Sequence, residues 1–164
     1  VIFLELITPK NASIFKAVRL QALQDSPAAF GSTHANESRY SEADWLKRAA
    51  DWSSDTAVGY LAMASGRPCG IAAAYLDEQD RGQAQLTSMW VDPEHRRNGV
   101  GRALIEAIRA WAVNRGARRL RLTVTSSNLA AIEFYERNGF SMTGGTEPYP
   151  NDPDLVEYEM SRSI

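Results

Sequence analysis

The stretch Val91-Asp92-Pro93-Glu94-His95-Arg96-Arg97-Asn98-Gly99-Val100-Gly101 decides the fold. It joins an apolar, strand-like run from Leu86 to Val91 to a strongly amphipathic helix that begins near Val100. The end of a strand, two arginines and two glycines therefore meet the start of a helix. A helix N-terminus carries unpaired backbone N–H groups and a partial positive charge. Glycine lacks the side chain that would keep an anion away from those groups. The stretch reads as a phosphate cradle.

Working outward, the helix from about Val100 to Asn114 puts Val100, Leu104, Ile108 and Trp111 on one stripe, and Gly116 follows as its C-terminal stop. Arg118 to Val124 then alternates, with Leu120, Leu122 and Val124 on one side and Arg119, Arg121 and Thr123 on the other. A further helix runs from about Asn128 to Asn138 and is stopped by Gly139. A helical crossover of this kind makes the strands on either side of Val100–Asn114 parallel. Upstream, Ile2 to Ile7 reads as a strand, Asn11 to Gln24 as a helix ended by Ser26-Pro27, and Phe30 to Arg39 as a polar loop. Ser41-Glu42-Ala43-Asp44 has the form of a helix start. Val58–Ala64 and Cys69–Leu76 flank Ser65-Gly66-Arg67 as a hairpin, Asp77 to Gly82 is a charged turn, and Ala84 to Val91 is the next strand. Gly144 to Asp154 reads as a late loop and Leu155 to Met160 as a weak strand. The expected fold class is α/β, a mixed sheet with helices on both faces, in one domain spanning residues 1–164.

The totals narrow the function. With 164 residues and a net charge of −2, the chain has no bulk attraction for nucleic acid or an anionic membrane. The run Arg118-Arg119-Leu120-Arg121 is the polar side of an alternating strand, not a basic patch. No apolar run is long enough to span a bilayer, and no export leader is recognisable, so no membrane partner is expected. The single cysteine, Cys69, lies in an apolar run and reads as a buried thiol, for which a reducing cytoplasm is the simplest compartment. His34 and His95 lack metal-ligand spacing, so no metal is expected.

Three ligand classes suit a strand–turn–helix cradle. A P-loop needs Gly, four residues, then Gly-Lys-Ser/Thr, which is absent. A dinucleotide site needs a third glycine, which Gly99-Val100-Gly101 lacks. The third class is coenzyme A. Here Arg96-Arg97-Asn98-Gly99-Val100-Gly101 resembles the Arg/Gln-x-x-Gly-x-Gly/Ala acyl-CoA motif of the GCN5-related N-acetyltransferases (GNAT). Asn128 with Ala131, Phe134-Tyr135 and Asn138-Gly139-Phe140 resembles the motif that follows it in that family, and Met89-Trp90-Val91-Asp92-Pro93 resembles the approach. The likeness is strong from about Gln83 to Phe140.

The resemblance implies a sheet whose two parallel strands splay apart, with acetyl-CoA as co-substrate. The backbone amides of Arg96, Arg97, Asn98, Gly99, Val100 and Gly101, with Arg102, would bind its pyrophosphate. Met89 and Val91 would pair their backbone with pantetheine while also filling core. Asn128 would contact the pantetheine chain or serve as a plain N-cap. Tyr135 would donate a proton to the departing thiolate, since a phenol (~10) stays protonated where a thiol (~8.5) begins to ionise. Phe134, a quarter turn away, is expected in the core. Related sequences often carry glutamate where Gln85 stands, and an amide cannot act as a base. Thr87 or Ser88 holding a water, Glu37, Asp77 or Glu78 from loops, or a water chain are the remaining routes, and the base stays open.

The implied activity is direct transfer of an acetyl group to a primary amine. The alternative is a non-catalytic acyl-CoA-binding module on the same scaffold. The acceptor is a small-molecule or peptide amine, with a lean toward a cationic small molecule from the acidity of the chain. Its pocket is expected between Ser26–Ser41 and the late loop, and such domains are commonly homodimers.

Overall fold

The computed structural model describes residues 1–164. Strands β1 (Ile2–Leu6), β2 (Ala57–Ala64), β3 (Arg67–Leu76), β4 (Gln83–Val91), β5 (Arg119–Thr125), β6 (Ser141–Pro148) and β7 (Val156–Ser163) form one sheet in the order β1-β2-β3-β4-β5-β7-β6. Every neighbouring pair is antiparallel except β4–β5, the pair joined by the helical crossover. The expected mixed sheet is therefore present, with its single parallel pair where the cradle lies.

The helices are α1 (Ala12–Asp25), α2 (His34–Glu37), α3 (Glu42–Asp51), α4 (Val100–Asn114) and α5 (Leu129–Arg137). They cover both faces. Val100, Leu104, Ile105 and Ile108 of α4 and Ile132 and Tyr135 of α5 share one apolar cluster with Leu86, Leu120, Leu122 and Met160 of the sheet. Phe15, Val18, Ala22 and Leu23 of α1 and Trp45 and Ala49 of α3 pack on the other face with Leu61, Ile71 and Trp90. Alternation along each strand assigns its side chains to one cluster or the other. The helix start at Ser41 is a reciprocal cap: Ser41 Oγ accepts from Asp44 N at 3.1 Å, and Asp44 carboxylate accepts from Ser41 N at 2.9 Å.

Two expectations are corrected here. The late loop begins later than its composition suggests, because Ser141–Pro148 pairs with β7 as the edge strand β6. Ser, Thr and two glycines carry no apolar alternation, and every residue of this strand is exposed, so pairing comes from β7 rather than from burial. The polar loop Phe30–Arg39 contains the short helix α2, whose last residue, Glu37, is 1% exposed.

Glu37 is buried because two arginines meet it. Arg19 of α1 donates from Nε and Nη2 to its two oxygens at 2.9 Å each, and Arg48 of α3 donates from Nη1 at 2.9 Å. Arg48 also lies over the Trp45 ring, 4.7 Å from its centroid. Burial alone would raise the Glu37 carboxyl; the hydrogen bonds and charge of Arg19, with those of Ser32 and Arg48, outweigh it and hold the group at about 2.

On the other face, α4 and α5 approach closely at Gly101. A Cβ there would sit 2.7 Å from Phe134 Cζ and 3.0 Å from its Cε1. Gly101→Ala is expected to destabilise the fold by ~1–3 kcal/mol. Adding Phe134→Leu, which lacks both ring atoms, should recover most of that loss in thermal melts. The Glu37 pair makes a second prediction. A carboxyl depressed from 4.5 to about 2 stabilises the folded state fully above about pH 4.5 and ceases to do so as pH falls toward 2. Glu37→Gln should therefore cost about 3 kcal/mol near neutrality. The gap between variant and wild type should narrow as melts are run from pH 4.5 downward; a gap independent of pH would contradict the assignment.

Candidate active site

β4 and β5 pair only through Gln83–Arg119, Ala84–Leu120 and Gln85–Arg121, although β4 continues to Val91 and β5 to Thr125. β4 is turned away by a bulge. Thr87 faces Ala73 and Trp90 faces Ile71 on β3, so Ser88 and Met89 share the space opposite Ala72. Ser88 takes a φ of +58° there. Its hydroxyl accepts from Arg19 Nη1 at 3.3 Å, which ties the bulge to the buried Glu37 pair. From Leu86 onward the two strands part, and a cleft of about 1020 Å³ opens between them. The splay expected of the parallel strands is thus visible in the pairing itself.

At the outer end of the cleft β4 passes through a single tight turn, Pro93–His95, into α4. None of the backbone N–H groups from Arg97 through Arg102 donates to an acceptor within the protein; Ala103 N is the first to do so, to Gly99 O at 3.0 Å. Arg97 and Gly99 hold positive φ values of +65° and +82°. At Gly99 nothing lies within 4 Å of a would-be side chain, so glycine serves the backbone turn. Gly101 serves a different purpose: its missing side chain admits the Phe134 ring and the Met89 methyl. An unbroken row of free donors at the mouth of a fifteen-residue helix suits an anion such as a diphosphate.

The arginines divide the work. Arg97 and Arg102 are exposed, line the cleft and have no ion-pair partner. Arg96 is committed to the turn, donating from Nε to Val91 O at 2.8 Å and from Nη2 to Asp25 at 2.9 Å. The Trp90 indole donates to the same Asp25 oxygen at 3.0 Å. That bond, with Ser26 and Arg96, holds the Asp25 carboxyl below the usual carboxylate range. The side chain of Arg96 thus fastens the cradle to α1, a role its motif position does not reveal.

Of the other residues expected at the site, Met89, Val91, Gly99, Gly101, Asn128 and Tyr135 line the cleft, whereas Asn98 and Val100 do not. The Val100 side chain is in the core, so only its amide faces outward. Asn128 is the N-cap of α5, its Oδ1 accepting from Ala131 N at 3.2 Å, and it also lines the cleft. The capping and contact readings are compatible there. Tyr135 is 8% exposed, with its ring edge-on to Phe134 and Phe140. Burial pushes its phenol well above the ordinary value, and no hydrogen bond offsets that push. The hydroxyl is a proton-bearing donor without an internal acceptor. Phe134 packs against the core as expected, but it is only half-buried and also lines the cleft, because Gly101 leaves room for its ring beside α4.

The carboxylates proposed from loops are otherwise occupied. Glu37 is sealed between Arg19 and Arg48, Asp77 accepts from Arg121 Nη2 at 3.0 Å, and Glu78 does not line the cleft. Gln85, Thr87 and Ser88 do line it. The opposite wall comes from Phe30 after α1, from Tyr149 and from Glu157 of β7. Tyr149 is buried and donates to Phe30 O at 2.7 Å, closing the Ser26–Ser41 segment onto the end of β6. Glu157 was missed; the period-two alternation of the tail is the signal that could have found it.

The model of the acetyltransferase (GNAT) family matches residues 20–140. The [ribosomal protein bS18]-alanine N-acetyltransferase of Escherichia coli (strain K12) is 33% identical over 117 residues, 71% of this chain and 75% of that protein. An uncharacterised N-acetyltransferase of Methanocaldococcus jannaschii is 32% identical over 107 residues, 62% of this chain, and the chain spans 47% of that protein's length. The crystal structure of PaiA N-acetyltransferase from Thermoplasma acidophilum in complex with coenzyme A superposes with a TM-score of 0.80 at 18% identity, over 100% of this chain and 99% of that one, a likeness of fold. No helix is long and apolar enough to cross a membrane. The match spans the cradle, the splayed strands and α5 together, and the chain belongs to the GNAT acetyltransferase family.

Proposed function

We propose that the protein transfers the acetyl group of acetyl-CoA to a primary amine by direct attack, with Tyr135 as general acid. The observation that carries this reading is the coincidence, in one cleft, of free main-chain donors from Arg97 to Arg102 and the unpartnered Tyr135 hydroxyl. The coenzyme would supply an activated thioester. Residues 97–102 would hold its diphosphate by backbone donors, helped by the unpaired charges of Arg97 and Arg102. The unpaired edge of β4 at Met89 and Val91 would meet the pantetheine amides as a neighbouring strand does, and Asn128 would border the same arm. Backbone N–H near the bulge would stabilise charge on the thioester oxygen. Tyr135, kept protonated by burial, would give its proton to the leaving sulfur.

The acceptor would enter from the face that carries α1 and α3. It is proposed as a small-molecule or peptide amine, in keeping with the E. coli relative's name, which describes acetylation of an alanine of a ribosomal protein. The test is a panel of primary amines incubated with acetyl-CoA while free thiol is followed. Tyr135→Phe is expected to lower kcat by roughly 100-fold or more. Its affinity for CoA, measured by calorimetry, should stay within about twofold of wild type, since the hydroxyl serves the departing sulfur and not the diphosphate. Wild-type protein that binds CoA yet acetylates no amine would overturn the proposal in favour of a binding module.

A further inference from the structure

The unassigned chemistry in this cleft is removal of the acceptor's proton. An amine is mostly protonated near neutrality and cannot attack until it is deprotonated. Gln85 cannot accept that proton, and the loop carboxylates are paired or lie outside the cleft.

Two carboxylates line the cleft, Glu133 and Glu157. Glu133 is exposed on α5, on the face with the cradle. Glu157 is on the opposite face, because Tyr158 and Met160 beside it in β7 pack toward α4 and α5. It stands in register with Thr125 of β5, where Thr125 Oγ1 is held by Ala28 O at 2.6 Å. Glu157 is half-buried, and no hydrogen bond or ion pair engages its carboxylate. Its neighbours differ: Glu159 accepts from Thr143 Oγ1 at 2.7 Å and lies 3.8 Å from Arg121, and that arginine is shared with Asp77. The charged and titratable groups nearest Glu157 in the sheet are Glu147, directly across on β6, and Glu159 along its own strand; Arg121 of β5 is opposite Ser161 and reaches Glu159 instead. Arg19 of α1 and Tyr149 just after β6 line the same cleft, but both are committed, to Glu37 and to Phe30 O. Glu157 is thus a partly desolvated carboxylate without a counter-ion, at the point where an amine would enter. A cation there recovers Coulomb energy that the protein itself leaves unused.

We propose that Glu157 receives the acceptor's ammonium and serves as the general base. This rests on the acetyl-transfer reading above. The ammonium gives one proton to a Glu157 oxygen, leaving a neutral nitrogen with its lone pair. That nitrogen attacks the thioester carbonyl, the C–N bond forms, and the C–S bond breaks with its electron pair going to sulfur. Tyr135 protonates the sulfur and recovers a proton originating from the attacking nitrogen, while Glu157 returns its own to solvent. The products are the amide, free CoA and one proton.

The experiment uses the full chain with acetyl-CoA and four probe amines: cadaverine, spermidine, benzylamine and a peptide with a free N-terminal alanine. Glu157→Gln is expected to lower kcat/KM for the amine by roughly 100-fold at pH 7. Its CoA affinity by calorimetry should be unchanged within about twofold, which also reports that the fold is intact. The loss should shrink as pH rises toward the amine's own pKa, where neutral amine is supplied by solvent, and Glu157→Asp should recover part of the activity. A merely structural role would not give that pH dependence. Glu157→Gln with wild-type kcat/KM at pH 7, or with a deficit constant from pH 7 to 10, would overturn the role of Glu157 alone. Failure of the wild type to acetylate any of the four, with CoA still bound, would overturn the acetyl-transfer reading and this role with it.

Discussion

The structure depends on the interruption of one ladder. β4 and β5 begin as an ordinary parallel pair and stop pairing after Gln85 and Arg121. Backbone groups taken out of a sheet must find other partners or face water. Here they face a cleft, and the helix that connects the two strands begins at its rim. The same interruption therefore creates an open strand edge and aims the free N–H groups of α4 beside it. Neither feature alone is unusual, since every helix has unpaired donors at its start. Their junction produces a channel with main-chain donors along two sides.

Holding a sheet open is costly in lost hydrogen bonds, and the face opposite α4 carries the means of doing so. The bulge at Ser88 is contacted by Arg19, which Glu37 clamps with two bonds and Arg48 backs from α3. Further out, Asp25 gathers the Trp90 indole and the Arg96 guanidinium, so the end of β4 and the start of the cradle are tied to the end of α1. A buried ion pair is a poor source of net stability when set against a well-packed apolar core. What it supplies is direction, since a bidentate arginine fixes both partners in a plane. The buried charge lies beside the bulge, where strand direction matters most.

These relations explain which parts of the molecule can be read from its sequence. α4 and β5 are legible because a clear period of 3.6 or 2 coincides with burial on one face, and α4 begins and ends at Val100 and Asn114 as the periodicity predicts. The cradle is legible because its glycines and arginines sit at a strand–helix junction. β6 is not, because an exposed edge strand needs no apolar alternation and Gly144-Gly145 reads as a turn. The burial of Glu37 is also hidden, since its partners lie 18 residues before it and 11 after it, in different helices. Gly101 shows the subtler limit: the motif asks only for a small residue there, and the need for glycine comes from the Phe134 ring, which only the packing of α4 on α5 discloses.

The distribution of charge across the sheet follows from the same architecture. On the side of α4 and α5, Arg97 and Arg102 are left without carboxylate partners, beside donors suited to an anion. On the side of α1 and α3, the arginines nearest the cleft are consumed: Arg19 by Glu37, Arg96 by Asp25, and Arg121 by Asp77 and Glu159. Of the two carboxylates that line the cleft, the one on that side, Glu157, is left without a partner. An anionic ligand would find unspent positive charge at one mouth of the channel, and a cationic one would find unspent negative charge at the other. The formal total of −2 conceals this arrangement, because it counts both mouths together. Selectivity in such a channel need not come from a closely fitted pocket. It can come from the order in which the internal ion pairs exhaust the chain's own charges, leaving unpaired arginines together with the exposed Glu133 on the cradle side and Glu157 across the gap in the sheet.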